Sequence, residues 1–204
     1  MTLATSLWAA NADLAAEART SPFVTGLVEG TLPRERFAGY VAQDAFFLEA
    51  FARAYALGLA HSPDRATLDV FADLLAGARE ELRLHAGYAR RWGIDLAAVV
   101  PAPATLAYTD FLLATASLGG VGVTCAAMTP CMRLYAFLGQ SAAGRATGDY
   151  TEWVDTYADP AFEKLTGTLE RLLDATGDDV PGVAGAYRRA MQLELGFFTA
   201  AWTG

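Results

Sequence analysis

The chain has 204 residues, within the size range of one domain and long enough to bury a substantial core. Hydrophobic residues make up 53% and charged residues 19%, with a mean hydropathy of +0.24, which fits a large helical core or a homo-oligomer that hides part of its surface. A net charge of −8 without a Lys/Arg cluster argues against a nucleic-acid partner and against an anionic membrane surface.

In chain order, nearly every segment reads as helix. The alanine-rich stretch from about 3 to 19 is amphipathic, and its lack of a basic start argues against a signal peptide. Ser21-Pro22 reads as an N-cap and first turn, and Gly30 as a stop. Thr31 is placed to cap the longest helix, which runs to about His61. Ser62-Pro63-Asp64 restarts the chain into a helix ending at Gly93. Pro101 and Pro103 mark a loop, followed by one helix to Gly119-Gly120 and another from about Val121 to Gly139. Gly144 to Asp149 is a loop, Tyr150 to Ala158 a short helix, and Asp159-Pro160 the start of a helix to Thr176. Gly177 to Pro181 breaks the chain before a final helix ending near Trp202. No stretch alternates as a strand would, so residues 1–204 are expected to form one all-α helical domain. Phe111 to Met132 carries no charge and is long enough to span a membrane, but Gly119, Gly120 and Gly122 divide it. Two buried helices joined by a tight turn are expected there, in a soluble chain without a membrane partner.

The two cysteines, Cys125 and Cys131, suit neither a disulfide framework nor a zinc site, and reduced thiols point to a cytoplasmic setting. Cys125, among alanines, reads as a small buried hydrophobe. Cys131 directly follows Pro130. If Pro130 opens a helix, the thiol sits in the first turn, where the helix dipole lowers a thiol pKa. If Pro130 lies within a helix, it removes a backbone bond and kinks the chain.

Two acids stand where a core should be. Asp44 shares its helical face with Tyr40, Val41, Phe47 and Leu48, and Glu194 with Ala190, Met191, Phe197 and Phe198. A carboxylate on such a face needs partners, because burying it bare costs several kcal/mol. Each is either a structural carboxylate satisfied by its neighbours or a functional one, and a desolvated Glu moves protons near neutral pH. Tyr108, Tyr135 and Tyr157 combine an aromatic face with a hydroxyl, suited either to the core or to a flat polar ring. Metal and haem readings are weak: only His61 and His85 are present, and Glu81 lies four residues before His85, not three as in helical di-iron sites.

Taken together, the segments SPFVTGLVEGTLPRERFAGYVAQDAFFLEAFARAYAL, ELRLHAGYARRWGI, LAYTDFLL, TPCMRLYAFLG, EWVDTYADPAF and LELGFFTAAW resemble the TenA family. These are the thiaminase II or aminopyrimidine aminohydrolases, with a haem-oxygenase-like helical bundle. The resemblance covers nearly the whole chain and rests on the order and spacing of the segments. It implies that Cys131 is the nucleophile toward an electron-poor aminopyrimidine ring and Glu194 the acid/base. It implies that Asp44 holds the ring's amino group and nitrogen, with Tyr135 and Tyr157 at substrate-contacting positions and Tyr108 lining the pocket. No cofactor or metal is implied, and a homotetramer is.

Phe47 departs from the pattern, since many members carry a tyrosine there whose hydroxyl supports the thiol. Arg133 is also unusual, at a place suited to a subunit contact or to restricting bulky substrates. The function implied is a thiamine-salvage hydrolase releasing hydroxymethyl pyrimidine from the aminomethyl compound, and from thiamine. The alternatives are a heteroaromatic-binding protein without efficient catalysis and a haem or metal oxygenase on the same scaffold.

Overall fold

The computed structural model describes residues 1–204 apart from the side chain of Leu84. The helices are α1 (Leu3–Ala10), α2 (Ala12–Arg19), α3 (Pro22–Val28), α4 (Arg34–Ala60) and α5 (Arg65–Trp92), then α6 (Pro103–Leu118), α7 (Val121–Ala142), α8 (Thr151–Ala158), α9 (Pro160–Thr176) and α10 (Val183–Thr203). Among the described residues there is no strand, and the chain is all-α.

Most boundaries follow local chemistry. Ser21 caps α3 by accepting from the Val24 N–H, and Pro22 fills the first turn, where no donor is needed. Asp64 accepts from the Thr67 N–H at 2.8 Å to open α5, and Gly93 ends it at φ 69°, a conformation that favours glycine.

Four boundaries differ from expectation. The first helix is broken at Asn11, whose side-chain amide donates to the Leu7 carbonyl while its oxygen accepts from Arg188. Thr31 does not cap α4: the N–H groups of Thr31 and Leu32 turn back to the Gly26 carbonyl, and α4 starts after Pro33. Tyr150 ends a 3-10 turn, Gly148–Tyr150, ahead of α8. Gly139 does not stop α7, which continues to Ala142 with Pro130 inside it.

Long α4 packs lengthwise against α5 and α6, while α7 packs against α8, α9 and α10. On α4 the buried side chains recur at Phe37, Tyr40/Val41, Asp44, Phe47/Leu48, Phe51 and Ala54/Tyr55, one face at helical spacing. Each fully buried Phe or Leu on such a face contributes about 1.5–3 kcal/mol. The expected pair of helices across residues 111–132 is present, with α6 ending at Leu118 and α7 starting at Val121. Helix α7 is long and apolar enough to cross a membrane, yet 78% of its apolar window is buried inside the bundle, as in a central core helix.

Gly139 shows why α8 can lie so close. A Cβ there would stand 2.5 Å from the Tyr157 carbonyl carbon, so only glycine admits this contact. The approach sets Tyr157 against α7, next to the site described below.

Candidate active site

Six helices send polar side chains into one aromatic-walled region: Asp44 from α4, Glu81 and His85 from α5, Tyr108 from α6, Cys131 and Tyr135 from α7, Tyr157 from α8 and Glu194 from α10. Asp44 is 3% exposed and Glu194 1%, so both acids are buried and need partners.

Glu194 finds its partner in Tyr108, whose hydroxyl donates to Oε1 at 2.8 Å. The Cys131 thiol lies beside the same carboxyl, and the two shift each other's proton affinity. Burial pushes the Glu194 carboxyl up to about 8, against the lowering influence of Tyr108 and Cys131.

Cys131 itself keeps some surface, but its sulfur is enclosed. Burial raises the thiol pKa well above its ordinary value, and the carboxylates of Glu194, Glu81 and Asp44 raise it further. The alternative in which Pro130 opens a helix is therefore overturned. Pro130 sits in the middle of α7, so Cys131 is not in a first turn, and the thiol is held protonated rather than activated at rest. Cys125 is a core thiol, as expected, with burial pushing it to about 12.

Asp44 is satisfied by a residue to which the sequence reading assigns no role. His85 Nε2 lies 2.5 Å from Asp44 Oδ2, and its Nδ1 lies 3.1 Å from the Glu81 carbonyl oxygen. Both ring nitrogens thus face acceptors, an arrangement that suits the doubly protonated imidazolium. Burial opposes that charge, but Asp44 and Glu81 outweigh it and raise the pKa to about 9. Glu81 is the second residue without a predicted role; its Oε1 accepts from the Tyr157 hydroxyl at 3.0 Å. Burial lifts the Glu81 carboxyl to about 7, opposed by His85. The available signal was the Glu81–His85 pair at i, i+4 on α5, which reads as a failed metal motif until α4 is placed opposite.

The aromatic wall is tied together by polar edges. Trp153 Nε1 donates to the Tyr40 hydroxyl at 3.2 Å, which donates to the Tyr135 hydroxyl at 3.1 Å. Tyr135 and Tyr157 meet edge to face at 4.7 Å. Phe47 packs its ring 4.7 Å from Tyr108 and has no polar atom to offer the thiol. The predicted Asp44, Phe47, Tyr108, Cys131, Tyr135, Tyr157 and Glu194 thus lie in one region. The space beside His85, Tyr40 and Tyr157 is about 20 Å³, enough for a water but not for a heteroaromatic ring.

Arg133 lies outside this region. It is two residues from Cys131, roughly 200° around the helix, and forks to Glu163 and Glu170 on α9, with contacts of 2.7–3.0 Å. It cannot restrict the substrate by direct contact, because its charge is spent on α9.

The arrangement resembles known proteins throughout the chain. It is 34% identical to an aminopyrimidine aminohydrolase of Halalkalibacterium halodurans, over 88% of this chain and 82% of that one. It is 35% identical to a mitochondrial bifunctional TH2 protein of Arabidopsis thaliana, of which it spans 34% while 88% of its own length is matched. The fold superposes on a TenA family protein of Silicibacter with a TM-score of 0.92 and 29% identity, covering 100% of this chain and 98% of that one. A TenA homologue of P. horikoshii, 24% identical, superposes with a TM-score of 0.93 over 99% of both chains. The family model described as TENA/THI-4/PQQC matches residues 10–204, and the chain belongs to that family.

Proposed function

We propose that the protein hydrolyses an aminopyrimidine at its exocyclic methylene, in a cytoplasmic thiamine-salvage role, using Cys131 as nucleophile and Glu194 as the proton carrier. The observation that carries this reading is the Tyr108–Glu194–Cys131 group set across an aromatic wall from the Asp44–His85 pair. The names of several relatives support it, among them the aminohydrolase of Halalkalibacterium.

Each group has a task in the chemistry. The ring's amino group donates to Asp44, which is held in place by its pairing with His85. Cys131 sulfur adds to the electron-poor ring as its proton passes to the Glu194 carboxylate, with Tyr108 holding that carboxyl in place. The added electron density expels the group on the exocyclic carbon. Water then adds to that carbon and gives its proton to the departed amine or to solvent, Glu194 returns its proton to sulfur, and the C–S bond breaks to free the hydroxymethyl product. A thiol held protonated by burial beside a buried carboxyl is inert until a substrate ring draws the sulfur forward.

The test is hydrolysis of 4-amino-5-aminomethyl-2-methylpyrimidine and of thiamine, with Cys131→Ser in parallel. Turnover abolished by the serine variant establishes the hydrolase and ranks the substrates. No turnover of either, with heat stabilisation by the hydroxymethyl product, establishes a heteroaromatic binder, a reading favoured by the missing hydroxyl at Phe47.

A further inference from the structure

A second cavity, of about 430 Å³, adjoins the cluster on the side of α9, within the roughly 300–1,000 Å³ typical of small-molecule sites. Its walls are apolar and include Phe51, Leu74, Met132, Phe162 and Leu165, and no Lys or Arg is among the described residues that line it. Three carboxylates reach it, and two are already committed. Glu80 pairs with Arg83, and Asp159 accepts the Ala161 N–H as the N-cap of α9.

Glu81 differs from both. It lines this cavity and also the small space beside His85, so its carboxyl stands at their junction. Its Oε1 accepts from Tyr157, while its Oε2 receives no hydrogen bond among the described residues. The neighbouring imidazolium of His85 attracts Glu81 through space, but its two ring nitrogens go to Asp44 Oδ2 and the Glu81 carbonyl and leave Oε2 without a hydrogen bond. Tyr55, 1% exposed, lines the same cavity and has a buried hydroxyl without a partner.

We propose that Glu81 determines specificity at this site: it recognises a cationic group carried by the substrate beyond its pyrimidine ring, an ammonium or an N-alkylated heteroaromatic, seated in the 430 Å³ cavity. The inference rests on the aminopyrimidine reading above and adds which part of the substrate lies where. A cation entering an apolar chamber loses hydration, and a carboxylate at the mouth offsets that loss. Two of its walls, Phe51 and Phe162, are aromatic, a lining suited to a cation. A neutral hydroxymethyl group has no such need, so the site holds the substrate cation more tightly than the product.

The experiment compares wild type with Glu81→Gln, measuring KM for aminomethyl pyrimidine and thiamine and the Kd of neutral hydroxymethyl pyrimidine. Removing the charge should raise both KM values about tenfold or more and leave the product Kd within about twofold. An unchanged KM for the cations, or an equal loss for the neutral product, overturns the proposal. Should Glu81→Gln not fold, Ala161→Trp narrows the cavity from its exposed rim. It should raise KM for thiamine about tenfold while aminomethyl pyrimidine stays within about twofold, and equal effects on both overturn the proposal. A wild type that binds no aminopyrimidine overturns the functional reading as well. Normal turnover with an unselective glutamine variant overturns only the role of Glu81.

Discussion

His85 and Asp44 meet across α5 and α4 with Nε2 2.5 Å from Oδ2, while the other ring nitrogen rests against the backbone of its own helix. Among the described residues Asp44 has no side-chain hydrogen-bond partner other than His85. Replacing His85 by Gln should therefore cost about 3–5 kcal/mol, the usual penalty for an uncompensated buried charge. Urea denaturation of His85→Gln, Asp44→Asn and the double variant measures this, and the double variant should lose clearly less than the sum of the singles. Strict additivity would mean that the pair is not coupled.

The enclosed thiol has a kinetic signature. Cys131 should react slowly with iodoacetamide at pH 7, more slowly than in the unfolded chain, and the rate should still climb at pH 9, because burial and three nearby carboxylates disfavour the thiolate. Mass-resolved alkylation from pH 6 to 9.5 reads this directly. Fast labelling at pH 6 would restore the activated thiol that a helix-opening Pro130 implied.

Phe47 packs on Tyr108 at 4.7 Å and offers the site no polar atom. Phe47→Tyr should raise the thiamine turnover rate several-fold. Steady-state rates for the two proteins decide it, and an unchanged or lower rate counts against the idea.

Gly139 lets α8 touch α7. Gly139→Ala should destabilise the protein by about 1–3 kcal/mol, the range for overpacking, since the new methyl meets backbone rather than a flexible side chain. Because Tyr157 rides on the displaced segment, the variant should also weaken binding of the pyrimidine product. A variant as stable as wild type would show that the helices separate without cost.

Stability should fall as pH rises from 6 to 9. Glu81 and Glu194 have folded-state pKa values of about 7 and about 8 against an ordinary 4.5, and His85 about 9 against 6.5. In each case the native state holds a proton that the unfolded chain has released. The two glutamates' contribution is full below 4.5 and lost as pH rises through 7 to 8, and the histidine's is full below 6.5 and lost through 9. All three have the same sign, so the melting temperature should decline steadily over this range. Differential scanning calorimetry at fixed ionic strength measures it, and a rising or flat Tm would contradict the assignment.

The sequence by itself determined the all-helical architecture and most helix starts, because capping residues, prolines and apolar spacing act over one or two turns. It also singled out Asp44 and Glu194, since an acid on an apolar helical face is visible without knowing what faces it. Local chemistry was less decisive at Asn11 and Thr31, where side-chain and backbone hydrogen bonds compete to end one helix and delay the next. Only the tertiary structure decided the partners. His85 became a counter-ion to Asp44 when α5 packed on α4, 41 residues away in sequence. Glu81 reached the junction of two cavities through the same packing. Cys131 became a protonated thiol because the bundle buried it and α10 set Glu194 beside it, and the charge state of a buried group depends on whatever lies within a few ångströms in space, whatever its distance along the chain.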